Sequence, residues 1–263
     1  MGHDAELGSP STALGDGLHQ TRLISAFQPA LNSGTAAFLG LADDGHQYWV
    51  KAPNNPQGAR TLITERVVYG IGDLIGAPVP PSALITIPPT LRWELRPGLS
   101  LHAGIGHGSR NIAPVVEVDD WGLHAGRDHN RDRQAPIIGL WDLCLGEDPQ
   151  WLHRLDDDMS MSTFDHGLWF GGGANWTLDD LRAVGTRPWD DLDGGVASAA
   201  ALLETADRID ALTLNDIRSV TGTVPVEWDT TQRELLELAS ILFVRAEGVA
   251  QRLRTAAAHS RFA

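Results

Sequence analysis

The prevailing period of the apolar residues shifts along this chain from strand-like to helical, and that shift limits the fold more than any other feature. From Thr21 onward they come in short runs, "TRLISAF", "TAAFLGLA", "HQYWVKA", "SALITIP" and "LRWEL", bounded by Gly, Pro, Asn or Asp as half-buried strands require. Asp43-Asp44-Gly45 marks a hairpin turn between the second and third runs. One stretch breaks the pattern: in "ARTLITERVVYGIGDLIG", Leu62, Val67, Ile71, Leu74 and Ile75, with Ile63 and Val68 beside them, recur at helical spacing until Pro78. Beyond Pro136 the helical period dominates, in "PIIGLWDLCLG", "TLDDLRAVG", "VASAAALLETADRIDAL" and "TLNDIRSVT", with one extended piece, "MSTFD". The last helical stretch lines up Leu235, Leu238, Leu242, Val249 and Leu253 on one side, which its neighbours must cover. The expected class is α+β: an antiparallel sheet with one helix over residues 21–120, and a mostly helical lobe over 121–263. The polar, aperiodic "VDDWGLHAGRDHNRDRQ" reads as a mobile connection at the boundary, and residues 1–20, rich in Gly, Ser and Asp, as disordered.

Composition removes several functions. The formal charge of −14, from 34 acidic against 20 basic residues, repels phosphate backbones, and no Lys/Arg run offsets it, so a nucleic-acid partner is not expected. The single Cys144 lies in an apolar run and reads as a buried, inert thiol, without a disulfide or a cysteine-based zinc cluster. No apolar run is long enough to cross a membrane, and the first residues lack the basic and apolar regions of a secretion signal, so the expected place is the cytoplasm. The histidines form no His-x-x-x-His pair on a credible helix and no Gly-x-Ser-x-Gly elbow occurs, which leaves zinc catalysis and serine hydrolysis without support.

Three residues fall in the order that phosphoryl transfer uses. Lys51 ends a central strand, Glu65 sits in the helix that follows, and Asp165 follows a later strand. A strand Lys can hold phosphates, a helix Glu can fix that Lys, and an Asp beyond a strand can hold magnesium. Each alone is ordinary: a Lys or Glu there is usually a solvated charge, and Asp165-His166-Gly167 could be a plain turn, since Asp accepts local backbone bonds and Gly supplies positive φ. Lys51 and Glu65 should meet as an ion pair partly shielded from water, contributing about 0 to 1 kcal/mol to stability.

The surrounding segments are more specific. "YWVKAPNNPQGARTLITERVVYGIGDLIGAPVPPSALITIP" resembles the HipA-like kinase domain family, in which a strand Lys is followed by an Asn-Asn-Pro-Gln-Gly turn, a Glu-bearing helix and a Gly-x-Pro-Val-Pro segment. "GIGHGSR", "FDHGLWFGGGANWT" and "VPVEW" resemble further family segments in the same order, so the likeness spans roughly residues 22 to 254. It implies a bilobal protein-kinase-like fold with ATP and magnesium in the cleft, a protein or small-molecule hydroxyl as substrate, and Asp165 as a metal ligand.

The chain departs from the family at two places. Where a Gly-Gly-x-Ser type loop would cover the phosphates, it reads Asn32-Ser33-Gly34-Thr35, so Ser33, Gly34 and Thr35 are the candidates there and one Gly must allow the close approach. The catalytic loop should read Asn-x-Asp-Arg with an Asn further on; "LGEDPQWLHRL" offers Asp148 for the catalytic Asp, Pro149 for the Arg, and Gln150 or His153 for the magnesium Asn. Losing one well-placed electrostatic contact lowers rate by about 10² to 10³, so the resemblance implies either a slow kinase or a nucleotide-binding pseudokinase whose output is a protein partner. "RDHNRDR" around Arg131 reads as a solvated charge run and "HRLDDD" at His153 to Asp158 as a polar turn. Trp141, Trp151, Trp169 and Trp176 read as core.

Overall fold

The structure, a computed structural model, describes residues 19–189 and 191–262. Most of the segment expected to be disordered lies outside these residues, but His19 bonds to Asp44 and Gln20 already opens the first strand.

The N-terminal half is a closed barrel. β1 (Gln20–Pro29), β2 (Phe38–Ala42) and β3 (Gln47–Lys51) form an antiparallel meander, with the expected turn at Asp43-Asp44-Gly45 between β2 and β3. Helix α1 (Ala59–Ile75) follows, then β4 (Ser82–Ile87), a small ribbon of β5 (Glu94–Arg96) and β6 (Leu99–Ser100), and β7 (Gly104–Arg110). The order is β1-β2-β3-β7-β4, and β1 pairs in parallel with β4 to close the ring. Leu23, Phe38, Tyr48, Val50, Ala83 and Ile85 fill its interior.

β7 is the central strand that no apolar alternation announces, because it reads "GIGHGSR". Its glycines are there for space. A Cβ on Gly106 would stand 2.7 Å from the carbonyl oxygen of Lys51, and one on Gly108 would stand 2.6 Å from Ile85 Cγ1. The pairing of Lys51 with His107 across β3 and β7 sets the end of the barrel that carries the polar centre.

The second half begins with β8 (Val115–Val118), which leaves the barrel and pairs with β9 (Trp151–Arg154), itself paired with β10 (Met161–Thr163). Between β8 and β9 runs α2 (Asn130–Leu143), and α3 (Leu178–Val184), α4 (Ala199–Asp210), α5 (Leu214–Thr221) and α6 (Gln232–His259) complete it. Thr177, Ser198, Thr213 and Thr231 cap α3 to α6 with their hydroxyls, as their types predict. The apolar side of α6 is buried as expected, and it also buries Arg245, which bonds to the carbonyl and carboxylate of Asp142.

The polar segment expected as a mobile connection is partly helix. α2 starts at Asn130 and holds Pro136 inside it. Its first turn carries no apolar period because its anchor is polar: buried Asn130 donates to the carbonyls of His124 and Met159 and accepts from the Met161 amide. "HRLDDD" is the β9–β10 turn, where Asp156 pairs with Arg154, Asp157 accepts from Ser160, and Asp158 pairs with Arg127. The four tryptophans expected as core are all buried, with Trp141 between Trp151 and Trp169 at ring distances of 6.1 and 5.2 Å.

The apolar residues of α1 join the core of the helical half, where Leu62, Ile63, Val67 and Ile71 share one cluster with Leu140, Trp169 and Trp176. Trp176 Nε1 donates to Thr64 of α1 at 2.7 Å, and Trp228 Nε1 donates to the Ile105 carbonyl of β7 at 2.8 Å. The two halves are therefore joined through α1 and by two indole bonds.

Gly106→Ala is expected to destabilise the protein by about 1 to 3 kcal/mol, because the methyl group meets a backbone oxygen that cannot turn aside. Denaturant unfolding measures this, and a variant as stable as the parent would contradict the packing account of β7.

Candidate active site

Three elements converge where β3 ends. Lys51 closes β3, Glu65 points from the second turn of α1, and Asp165 follows β10 with a left-handed φ of 56°. The Lys51 ammonium donates to Glu65 Oε1 and, at 2.5 Å, to Asp165 Oδ1. The other oxygen of Glu65 lies 3.6 Å from His166 Nδ1 and 4.0 Å from His107 Nε2. His166 Nε2 in turn shares a 3.2 Å bond with Thr163 Oγ1, and the His166 ring packs edge-on against Trp169.

Gly167 completes the Asp-His-Gly turn by being small. A Cβ there would lie 3.2 Å from Lys51 Nζ, 3.3 Å from Thr61 Cβ and 3.4 Å from Glu65 Oε1. A side chain at 167 would be tight against all three, so the small residue eases the approach of Asp165 to Lys51.

The electrostatics follow from burial. Lys51 is 7% exposed and Glu65 4%. Burial opposes the charge on Lys51, but Asp165 and then Glu65 outweigh it and hold the ammonium above its ordinary pKa. Burial likewise opposes the Glu65 carboxylate, but Lys51 and then His166 pull it well below the carboxylate range. This corrects the expectation of a half-shielded pair of little energetic weight: the pair is buried, and taking away one partner strands the other.

The phosphate-loop candidates lie at the same end of the barrel. Phe38 pairs with Val50, so the turn preceding β2 lies beside Lys51. Ser33 Oγ bonds with Thr35 Oγ1 at 3.1 Å and accepts from the Ala37 amide, and Thr35 is buried, so both hydroxyls are committed to the turn itself. Gly34 is approached by the carboxamide of Gln57, whose Nε2 would lie 2.4 Å from a Cβ there. The first turn of α1 carries no side-chain cap, which leaves backbone N–H groups at its start.

The catalytic-loop candidates separate. Asp148 is exposed, with φ 55°, and accepts a 2.7 Å bond from Gln150 Nε2; Gln150 immediately precedes β9. His153 lies further along β9, 1% exposed, its Nδ1 on the Met159 carbonyl and its ring 4.8 Å from that of His124. Of the two residues offered in place of the magnesium Asn, only Gln150 is brought to Asp148.

One residue of the cleft escaped the sequence reading. Glu117 on β8 pairs with Leu152, which pairs with Ser162, so the three share one face of the small sheet. Partial burial raises the Glu117 carboxyl, and the charges of Asp165 and then Asp148 raise it further. The only sequence signal was an acid inside an otherwise apolar "VVEV".

A barrel holding a Lys–Glu pair, one helix that bridges to a helical lobe, and an Asp after the β9–β10 hairpin define a kinase-like protein. Residues 24–134 match the HipA-like kinase family model, so over that span the resemblance read from the sequence is borne out. The fold is also that of the Helicobacter pylori proinflammatory kinase CtkA, at 14% identity, with 88% of this chain and 94% of that one covered and a TM-score of 0.59. A Golgi casein kinase structure with Mn/ADP bound aligns at 10% identity over 88% of this chain and 74% of its own, with a TM-score of 0.44. No curated protein matches the chain. The bilobal kinase-like fold expected from the sequence is thus present, and the match to a kinase family model supports phosphotransferase as the general class of chemistry. Among the described residues no helix is long and apolar enough to cross a membrane.

Lys51→Met is expected to lower stability by about 3 to 5 kcal/mol, because it leaves Glu65 buried without its main partner. Adding Glu65→Gln should recover part of the loss; denaturant titration of both variants checks this, and an unchanged Lys51→Met midpoint would refute it.

A second outcome concerns pH. Burial, which outweighs the pull of Glu65, pushes His107 down to about 3 from an ordinary 6.5. The unfolded chain takes up this proton below about 6.5 and the folded one does not, so stability falls as pH drops through that window, by about 1.4 kcal/mol per unit. His107→Gln should flatten the decline in melting temperature between pH 7 and pH 5, whereas an equal slope in the variant would exclude His107 as its source.

Proposed function

We propose that this chain is an ATP- and magnesium-dependent phosphotransferase acting on a hydroxyl of a protein or small molecule. The observation that carries the reading is the Lys51 ammonium, held by Glu65 of α1 and Asp165 of the helical half at once. The contact fixes a cation where the two halves meet, beside a turn that can cover phosphates.

The donor set fits a magnesium ion that arrives with phosphates. Asp165 keeps part of its carboxylate exposed, and its charge is felt at Glu117, so a cation at Asp165 would relieve an acidic field. Among the described residues no three such groups stand close enough to hold a metal alone, which suits an ion that takes one or two carboxylates and completes its shell with water and phosphate oxygens. Bound ATP and magnesium would supply the transferable phosphoryl group and neutralise its charge. Within the chain, Lys51 would neutralise phosphate charge, Glu65 orient Lys51, Asp165 face the metal with Gln150 as a further oxygen donor, and Asp148 orient the substrate hydroxyl. His153, buried against His124, has no part in this arrangement.

A nucleotide-binding pseudokinase that acts through a protein partner is the second reading. The observation that favours it is Asp148 itself, which is followed by Pro149 in place of an Arg and has its carboxylate engaged by Gln150.

Incubation with labelled ATP and magnesium is expected to label the chain itself or a lysate protein, and Asp165→Ala to abolish the label. Calorimetry on the same preparation separates the readings, since binding without turnover supports the pseudokinase. Undiminished labelling by Asp165→Ala would remove Asp165 from the mechanism.

A further inference from the structure

The turn Asn54-Asn55-Pro56-Gln57-Gly58, between Lys51 and α1, has no task in the reading above. Its backbone is firmly built. Buried Asn55 donates to the carbonyls of Ala52 and Gly58 and accepts from the Gln57 amide, and Asn54 ties the turn to Ser100 and His102. The Gln57 backbone is thereby fixed, while its side chain reaches to the β1–β2 turn. A Cβ on Gly34 would lie 2.4 Å from Gln57 Nε2 and 2.9 Å from its Cδ. Gly34 is not among the positive-φ glycines, so what a side chain there would meet is this carboxamide and not a backbone restriction.

The carboxamide is polar, half-buried and without a hydrogen-bond partner among the described residues. It stands at the Lys51 end of the barrel, since the turn it covers continues directly from the Phe38 to Val50 pair. The hydroxyls of Ser33 and Thr35 are already used within that turn. A phosphate held at Lys51 from the side of this turn would find an uncommitted amide donor at the same end of the barrel.

We propose that Gln57 is the residue through which the β1–β2 turn engages the phosphates of the bound nucleotide: Nε2 donates to a phosphate oxygen while the carboxamide, lying on Gly34, holds the turn over it. This rests on the nucleotide-binding reading. An uncharged amide suits the task, because it donates without adding to the negative charge of the cleft. The role sequence reasoning gave to Ser33, Gly34 and Thr35 passes to a residue of the turn after β3 that lies against Gly34.

The test is calorimetry of the full chain with ATP and magnesium, and separately with adenosine, for the parent, Gln57→Ala, Gln57→Glu and Gly34→Ala. A hydrogen bond to a charged group accounts for about tenfold to hundredfold in affinity, so Gln57→Ala should weaken ATP by that factor and leave adenosine unchanged. Gln57→Glu should weaken ATP further. Gly34→Ala displaces only the far end of a flexible side chain, so it should fold, weaken ATP similarly, and add little when combined with Gln57→Ala. Parent-like ATP binding by Gln57→Ala would overturn this inference and leave the nucleotide reading standing. Equal losses for ATP and adenosine would also overturn it, assigning Gln57 a structural role. A parent that binds neither ligand would overturn both readings.

Discussion

The buried contact of Lys51 with Glu65 and Asp165 is the constraint around which this molecule is arranged. A carboxylate 4% exposed is costly, and Glu65 is tolerable only because a cation and two imidazoles face it. The partners come from three elements: Lys51 from β3, His107 from β7, and His166 with Asp165 from the turn after β10. The elements must meet at one point for the charges to balance. The burial of α1 within the core of the helical half brings that about, since the helix that supplies Glu65 also carries the apolar residues shared with Trp169 and Trp176.

The same arrangement leaves the cleft short of positive charge. Lys51 is occupied by two carboxylates, and partial burial together with the charges of Asp165 and Asp148 raises the Glu117 carboxyl. In a chain of net charge −14 no surplus of cations is at hand to quench this field. A divalent ion relieves it most directly, whereas a nucleotide without one would add negative charge to an acidic cleft. On the proposed reading the field would couple nucleotide and metal, each making the other's binding less costly.

Legibility in the sequence followed the locality of the cause. Strands β2 and β3, helix α1 and the C-terminal helices declare themselves through period, because each buries one face against a neighbour. Lys51, Glu65 and Asp165 were legible through order and flanking segments. β7 was legible only as a resemblance, since Gly106 and Gly108 erase its alternation and what they avoid is contributed by β3 and β4. The first turn of α2 was lost because its anchor, Asn130, gains its meaning from Met159 and Met161, far along the chain. Glu117 and Gln57 escaped for the same reason. Nothing local distinguishes an acid in a short strand or a Gln in a turn until the partners arrive. The energetic weight of the Lys51–Glu65 pair was underestimated because burial is a property of the assembled halves.

Three glycines near the centre carry a related meaning. At Gly34 a Cβ would meet the Gln57 carboxamide, at Gly106 the Lys51 carbonyl, and at Gly167 the Lys51 ammonium and Thr61. The first obstacle is the end of a flexible side chain, the second is backbone, and the third is the charged centre itself. Tolerance to a methyl group should therefore fall in a definite order, with position 34 yielding at the expense of the Gln57 contact and 106 yielding least. At 167 the methyl group is tight against several atoms at once, so its effect would appear in the placing of Asp165 before it appeared in the fold. The family-like "FDHG" segment is thus explained physically: the Asp approaches the Lys, the His braces the Glu, and the Gly makes room for both.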